Sequence, residues 1–230
     1  MARPEVILGA ARPFARGGCR LIYRDPRDDW RAVKITVSGG GEGAKKRAEA
    51  GWIRYLHRHD YYDENNRQWR EHRKLARRMG LPWPRHLSRC YGLVRTDVGV
   101  GLVVERVANA DGTPALNMEE YLRLRGLDAR CRRALKELRR FLLGRRVLLR
   151  DAAASNIVLR EQGDGTLLPV IVDGLGNSEF IPVSGWIPCA GRRKIGKRWR
   201  ALLGNVRKLA RQAGSRGATQ AGKLSGKGLV

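Results

Sequence analysis

Acidic residues are scarce in this chain of 230. Only 22 Asp and Glu stand against 47 Lys and Arg, a formal charge of +25. From Phe180 to Val230 there is no Asp or Glu, against 12 Lys and Arg. This imbalance selects polyanionic partners: nucleotides, nucleic acid, an anionic membrane surface or lipopolysaccharide phosphates, without choosing among them. Cysteine is sparse as well. Cys19, Cys90, Cys131 and Cys189 are isolated, and the lack of any CxxC excludes a zinc ribbon and a dithiol redox motif. Isolated thiols fit a reducing compartment. No run of about 18 apolar residues occurs, so no membrane span is expected. Met1-Ala-Arg-Pro-Glu5 lacks the apolar stretch of a secretion signal, so the expected location is the cytoplasm, free or peripheral to the inner membrane. Aromatics make up 7% and are thin in the basic region (Phe180, Trp186, Trp199), which disfavours a stacking platform for single-stranded nucleic acid. His57 and His59, two apart on a helix, face different ways, and with His72 they have no nearby Cys; a metal site there is not expected.

What is present supports a folded protein. At 42% hydrophobic, the chain can bury a core as one sizeable domain or two small lobes. Residues Glu5 to Gly9 and Cys19 to Tyr23 read as strands. Asp25 to Asp29 reads as a turn, and Trp30 to Val37 as a β-branched strand. Ser38 to Gly43 is a flexible loop. Residues Ala44 to Met79 read as helical, with an apolar stripe of Trp52, Ile53, Leu56, Trp69 and Leu75, interrupted near Asp60 to Asn66. Leu81-Pro82-Trp83-Pro84 stops the helix. Cys90 to Val94 and Gly99 to Glu105 read as a hairpin. Beyond Asp111-Gly112, Met118 to Arg125 and Asp128 to Gly144 are helices, the second with Cys131, Leu135, Leu138 and Leu142 at helical spacing. Val147 to Leu149 reads as a short strand. Asn156 to Leu159 pairs with Val170 to Val172 around Gly163-Asp164-Gly165. A basic amphipathic helix or helix pair covers Arg192 to Ala213, and a disordered tail is expected from Gly214.

The chemistry lies in one ordered series. Asp151-Ala-Ala-Ala-Ser-Asn156 is followed by the apolar strand Pro169-Val-Ile-Val and then Asp173-Gly174-Leu175-Gly176. Kinase-like phosphotransferases use this order: the first Asp accepts the substrate hydroxyl proton, and the Asn and the later Asp hold Mg²⁺ against nucleotide phosphates. Such an enzyme also needs a strand lysine for the phosphates, and Lys34 in Ala32-Val33-Lys34-Ile35 fits. It needs a helical carboxylate to orient that lysine. Glu71 is the best placed, with Glu49 and Glu64 as rivals. The loop that covers the phosphates should precede Lys34. Gly9 to Gly18 occupies that position without a GxGxxG; Gly9, Gly17 and Gly18 supply backbone freedom, and Arg12 and Arg16 supply charge.

With these motifs the chain resembles the PhoP regulatory network family of YrbL-like proteins, short bacterial chains with a protein-kinase-like fold. The resemblance runs from about Leu8 to about Leu202. It is carried by Ala32-Val33-Lys34-Ile35, Arg70-Glu71, Tyr91-Gly92-Leu93-Val94-Arg95-Thr96-Asp97-Val98-Gly99-Val100-Gly101, Ser155-Asn156-Ile157-Val158-Leu159 and Pro169-Val170-Ile171-Val172-Asp173-Gly174-Leu175-Gly176. Ile181-Pro182 and the Trp186 to Trp199 region with its Arg/Lys cluster are also similar. It implies an α+β, two-lobed fold: a small antiparallel sheet lobe over 1–107, a reduced helical lobe over 108–213 with the catalytic and metal loops, and a basic tail over 214–230. It implies ATP and Mg²⁺ as cofactors. Asp151, Lys34 and Glu71 would be catalytic, Asn156 and Asp173 metal-binding, and the backbone from Glu105 to Val107 the adenine hinge.

Several positions depart from the protein-kinase pattern. Leu149 stands where a His often precedes the Arg150-Asp151 pair. Ala153 stands where many kinases carry a phosphate-contacting Lys. Gly174-Leu175 replaces Phe-Gly, and no Ala-Pro-Glu follows Asp173. The acceptor expected is therefore a non-protein hydroxyl, such as lipopolysaccharide or another envelope sugar. The alternatives are a catalytically weak or inactive kinase-like regulatory protein acting through partners, and a basic nucleic-acid-binding protein.

Overall fold

The computed structural model describes residues 5–17, 19–37, 63–176 and 188–225. Gly18, the segment from Ser38 to Gly43 expected as a loop, the first part of the segment expected as helical with Glu49, Trp52, Ile53, Leu56, His57 and His59, and Phe180, Ile181-Pro182 and Trp186 lie outside the described residues. The described chain is a mixed α+β protein with two antiparallel sheets and four α-helices. It divides into two compact units, Met1–Val107 and Ala108–Val230.

The first unit is built on a five-stranded sheet in the order β1-β2-β3-β5-β4, with β1 Ala15–Arg16, β2 Arg20–Asp25, β3 Asp28–Thr36, β4 Cys90–Thr96 and β5 Gly99–Glu105. All its strand pairs are antiparallel. Successive side chains of a strand face opposite ways, so the central β3 sorts its residues between two cores. Val33 and Ile35 join Val6, Leu8, Tyr23, Val94 and Val103. Ala32 joins Leu102 and Val104, with Ile22, Trp69 and Cys90 against them. Lys34 pairs across the sheet with Ile22 and Leu102 and so falls on the Ala32 face. Helix α1, Glu64–Met79, covers that face. Its N-cap Asp63 accepts from the Asn66 amide, and Gly80 (φ 65°) closes it. Buried Asn65 donates its Nδ2 to the Lys34 carbonyl at 2.8 Å, which fastens the helix to the strand.

The second unit contains the sheet β6-β7-β8, with β6 Leu116–Asn117, β7 Ile157–Glu161 and β8 Leu167–Ile171. Every residue of β8 is buried. Helix α2, Met118–Arg125, starts at a reciprocal capping box between Asn117 and Glu120. Helix α3, Ala129–Gly144, is capped by Asp128 and buries Cys131, Ala134, Leu135, Leu138 and Leu142. Helix α4, Pro188–Ser225, buries Ile195, Trp199, Leu202, Val206 and Leu209, spaced alternately by four and three residues. Its backbone continues past Ala213, where composition predicted the end of the helix.

Both helices after Asp111-Gly112 and both hairpins fall where the hydrophobic pattern puts them. Four short segments differ. Glu5 to Gly9, expected as a strand, makes one parallel bridge from Val6 to Thr96. Val147 to Leu149, also expected as a strand, makes one bridge from Leu149 to Leu175. The two-residue strands β1 and β6 carry too little pattern to be read from sequence.

Candidate functional site

In the second unit, two loops are joined side by side by their backbones. One follows α3 and carries Asp151; the other follows β8 and carries Asp173. The Arg150 and Asp151 amides both donate to the Gly174 carbonyl, at 2.7 and 3.3 Å. Gly176 donates to the Leu148 carbonyl at 3.1 Å, and Val172 to the Asn156 carbonyl at 3.0 Å. Asn156 ends a 3₁₀ turn, Ala154–Asn156. Its Nδ2 donates to Asp151 Oδ2 at 2.9 Å. Asp173 Oδ1 accepts from the next amide, Gly174, at 2.7 Å.

Gly174 is the contact point and must be glycine. Its φ is +73°, and a Cβ there would stand 2.6 Å from the Asp151 carbonyl oxygen and 3.0 Å from Asn156 Nδ2. The structure therefore gathers Asp151, Asn156 and the Asp173 loop into one small polar cluster. The Nδ2 bond to Asp151 orients the Asn156 amide and leaves its Oδ1 as the oxygen donor. Among the described residues no group of three His, Cys, Asp or Glu gathers. The Asp173 carboxylate and the Asn156 amide oxygen could hold a Mg²⁺ that takes few protein ligands and completes its shell with phosphates and water, and these oxygen donors do not suit a zinc site.

Lys34, in the first unit, is only 4% exposed. Its Nζ donates to Gln68 Oε1 at 3.3 Å, and Arg20 Nη1 donates to the same oxygen at 2.7 Å. Burial, and then the neighbouring Arg20 guanidinium, hold the ammonium well below the ordinary lysine value; Cys90 and Glu64 oppose the shift. Burial also pushes the Cys90 thiol up to about 11. Glu71, expected to orient Lys34, bonds Lys74 instead, at 2.7 Å. The α1 groups that act on Lys34 are Gln68, by its bond, and the rival Glu64, by its charge. The physical reason is position along the helix: Glu71 stands almost one turn beyond Gln68, so its own i+3 neighbour Lys74 is closer to hand.

The predicted phosphate loop is distributed differently from the expectation. The Gly9 amide donates to Asp97 Oδ2 at 2.7 Å, and the Leu8 amide to Asp97 Oδ1 at 2.6 Å. These amides hold the Asp97 carboxyl below the ordinary aspartate value. Gly9 is thus an anchor of the N-terminal segment on the β4–β5 turn, and its N–H is spent there. Gly17 lies in the turn between β1 and β2, where its amide donates to the Arg20 carbonyl at 2.9 Å. Glu105 ends β5; its Oε2 accepts from the Arg89 amide at 3.0 Å, and its own amide donates to the Arg89 carbonyl at 2.9 Å.

A family model for the PhoP regulatory network protein YrbL matches residues 6–207. The chain belongs to this family. It is 27% identical over 203 residues to a protein of Escherichia coli (strain K12) described as "Uncharacterized protein YrbL", covering 85% of each chain. The Shigella flexneri protein of the same description matches to the same extent. The match to the YrbL family model spans the Lys34 strand, the Asp151 loop and the Asp173 loop alike.

Two contacts of candidate site residues in this YrbL-family chain escape sequence reading. Gln68 is an uncharged residue that no motif singles out. Its spacing from buried Asn65 and His72, by three and four residues, is the one signal that could have placed it near the sheet. Asp97 lies 88 residues from Gly9, and nothing local connects them. Among the described residues, no helix is long and apolar enough to cross a membrane.

Proposed function

We propose that this chain is a kinase-like phosphotransferase that moves the γ-phosphoryl group of ATP to a non-protein hydroxyl, with lipopolysaccharide or another envelope sugar as the acceptor class. The carrying observation is the Asp151–Asn156–Gly174 junction: a carboxylate held by an amide, against a second carboxylate loop, with no room for a side chain between them. The protein-kinase-like assignment of the fold belongs to the same proposal. It is supported by the order of elements, in which a strand lysine precedes a helix and the Asp, Asn and Asp follow.

Asp173 and the Asn156 Oδ1 hold Mg²⁺ in this reading. Mg²⁺ with ATP, when bound, supplies the electrophilic phosphoryl group and neutralises its charge. Asp151 is exposed, oriented by Asn156, and accepts the acceptor's hydroxyl proton. Lys34 is the cation assigned to the α- and β-phosphates, with Glu64 and Gln68 in place of Glu71 as its helical partners. Ala153, where a phosphate-contacting lysine is common, argues for a small acceptor over a protein.

A second reading, a catalytically weak kinase-like regulatory protein, is favoured by one observation. Lys34 is buried and its charged form disfavoured, which weakens it as a phosphate ligand.

Thermal shift in ATP, with Mg²⁺ and with EDTA, tests the proposal on the native chain, Asp173→Ala and Lys34→Ala. A stabilisation that needs Mg²⁺ and is lost in both variants is expected. No Mg²⁺-dependent shift at millimolar ATP would rule out the enzyme.

A further inference from the structure

Helices α3 and α4 of the second unit border an open recess of about 620 Å³, lined by Arg139, Arg193, Gly196, Lys197, Trp199 and Arg200. Arg193, Lys197 and Arg200 are spaced by four and three residues, so they form one stripe on α4, and Arg139 faces them from α3. All four cations are exposed, while Trp199 is buried and forms part of the lining. Gly196 opens the recess: a Cβ there would meet nothing within 4 Å. Among the described residues, none of the four cations is paired with a carboxylate. Four like charges around one concavity repel one another, and an anion seated between them relieves that repulsion.

We propose that this recess is a binding site for a ligand carrying two or more phosphate groups, separate from the Asp151–Asn156–Asp173 cluster. Two phosphate monoesters carry about −1.5 to −2 each at neutral pH, which matches the four cations. Three of the four are Arg, whose planar fork takes phosphate oxygens in pairs. The volume lies in the range of small-ligand pockets and is too small for a duplex. The inference goes beyond the phosphotransferase reading and does not depend on it.

Binding is measured with the full chain in EDTA at about 0.15 M salt, where charges beyond about 8 Å are screened. One probe is inorganic triphosphate, followed by calorimetry. The other is phosphatidylcholine vesicles containing phosphatidylinositol 4,5-bisphosphate, followed by co-sedimentation. Arg193→Ala/Lys197→Ala is expected to weaken binding about tenfold or more, through loss of two charge-assisted contacts. Gly196→Leu keeps every charge and favours the helix, yet fills the recess, and is expected to weaken binding about fivefold or more. Arg207→Ala/Lys208→Ala removes the same charge from exposed positions on α4 and is expected to stay within about twofold of native. Circular dichroism confirms that each variant is folded. This pattern with triphosphate establishes a site for a free phosphate ligand. The same pattern with vesicles alone establishes one for lipid-borne phosphate. If neither probe binds, if the recess variants bind as native does, or if the control loses as much, the proposal fails. Asp173→Ala is expected to leave this binding unchanged, so failure of the Mg²⁺–ATP reading and failure of the recess are read separately.

Discussion

Replacing Lys34 by Met should make the protein more stable and abolish its response to nucleotide. The ammonium sits on the inner face of β3 at 4% exposure, and its charged form is disfavoured by burial and by Arg20. Met fills a similar volume without charge. Taking an ammonium out of water costs several kcal/mol even after the protein relaxes around it, a cost that a hydrophobe of similar size does not carry. Against this stand the lost bond to Gln68, 3.3 Å long and worth about 1 kcal/mol, and the lost attraction of Glu64, which is smaller than the repulsion from Arg20 that is relieved with it. Gln68 keeps its 2.7 Å bond from Arg20, so its oxygen is not orphaned. A net gain of about 1–3 kcal/mol at pH 7 is expected, which for a chain of this size raises Tm by about 2–4 °C per kcal/mol. The sign with pH follows from linkage. The native lysine titrates below the ordinary 10.5, so between the two values the unfolded chain binds more protons and native stability rises with pH. The advantage of Met therefore shrinks as pH rises toward 10.5. Urea melts of both chains at neutral and alkaline pH measure it. A Met variant less stable than native at pH 7, or a gap that does not narrow at high pH, would mean that the buried charge of Lys34 does not cost the fold stability.

Three other outcomes are expected. Gly174→Ala forces a side chain into a left-handed backbone and against the Asp151 carbonyl, and should cost about 2–4 kcal/mol in urea unfolding while Gly163→Ala, with open space around it, costs little. Asp97→Ala should release the Leu8 and Gly9 amides to fast hydrogen exchange, and acid should do the same to the native chain, because a carboxylate held below its ordinary value stabilises the fold only while ionised. Glu64→Gln should weaken the Mg²⁺-dependent ATP response more than Glu71→Gln, in a side-by-side thermal shift, since Glu64 acts on Lys34 and Glu71 is engaged with Lys74.

Much of the fold could be read before the structure because its signals are local. The β4–β5 hairpin follows from two apolar runs around the turn at Thr96 to Gly99, and α3 from Cys131, Leu135, Leu138 and Leu142 at helical spacing. The Asp151, Asn156 and Asp173 series was legible as spacing alone. Why it converges was not, since convergence depends on Gly174 lying where no Cβ fits. The partners of Gly9 and Glu71 were illegible for the same kind of reason. Gly9 looks like a free loop glycine until Asp97 is seen to take its amide, and Glu71 looks like the better carboxylate until the helix phase brings Gln68 to the lysine. Long-range partners and helix phase are settled by packing, which a pattern of residue types does not encode.

In the proposed enzyme, Asp173 and Asn156 hold a metal with nucleotide beside Asp151. NMR of the native chain with ATP and substoichiometric Mn²⁺ in place of Mg²⁺ locates that metal. Paramagnetic broadening is expected to centre on the Asn156 side-chain amide and the backbone amides of Asp173 and Gly174, to be absent without ATP and to be lost in Asp173→Ala. Broadening centred elsewhere, or unchanged by Asp173→Ala, would contradict that placement of the metal.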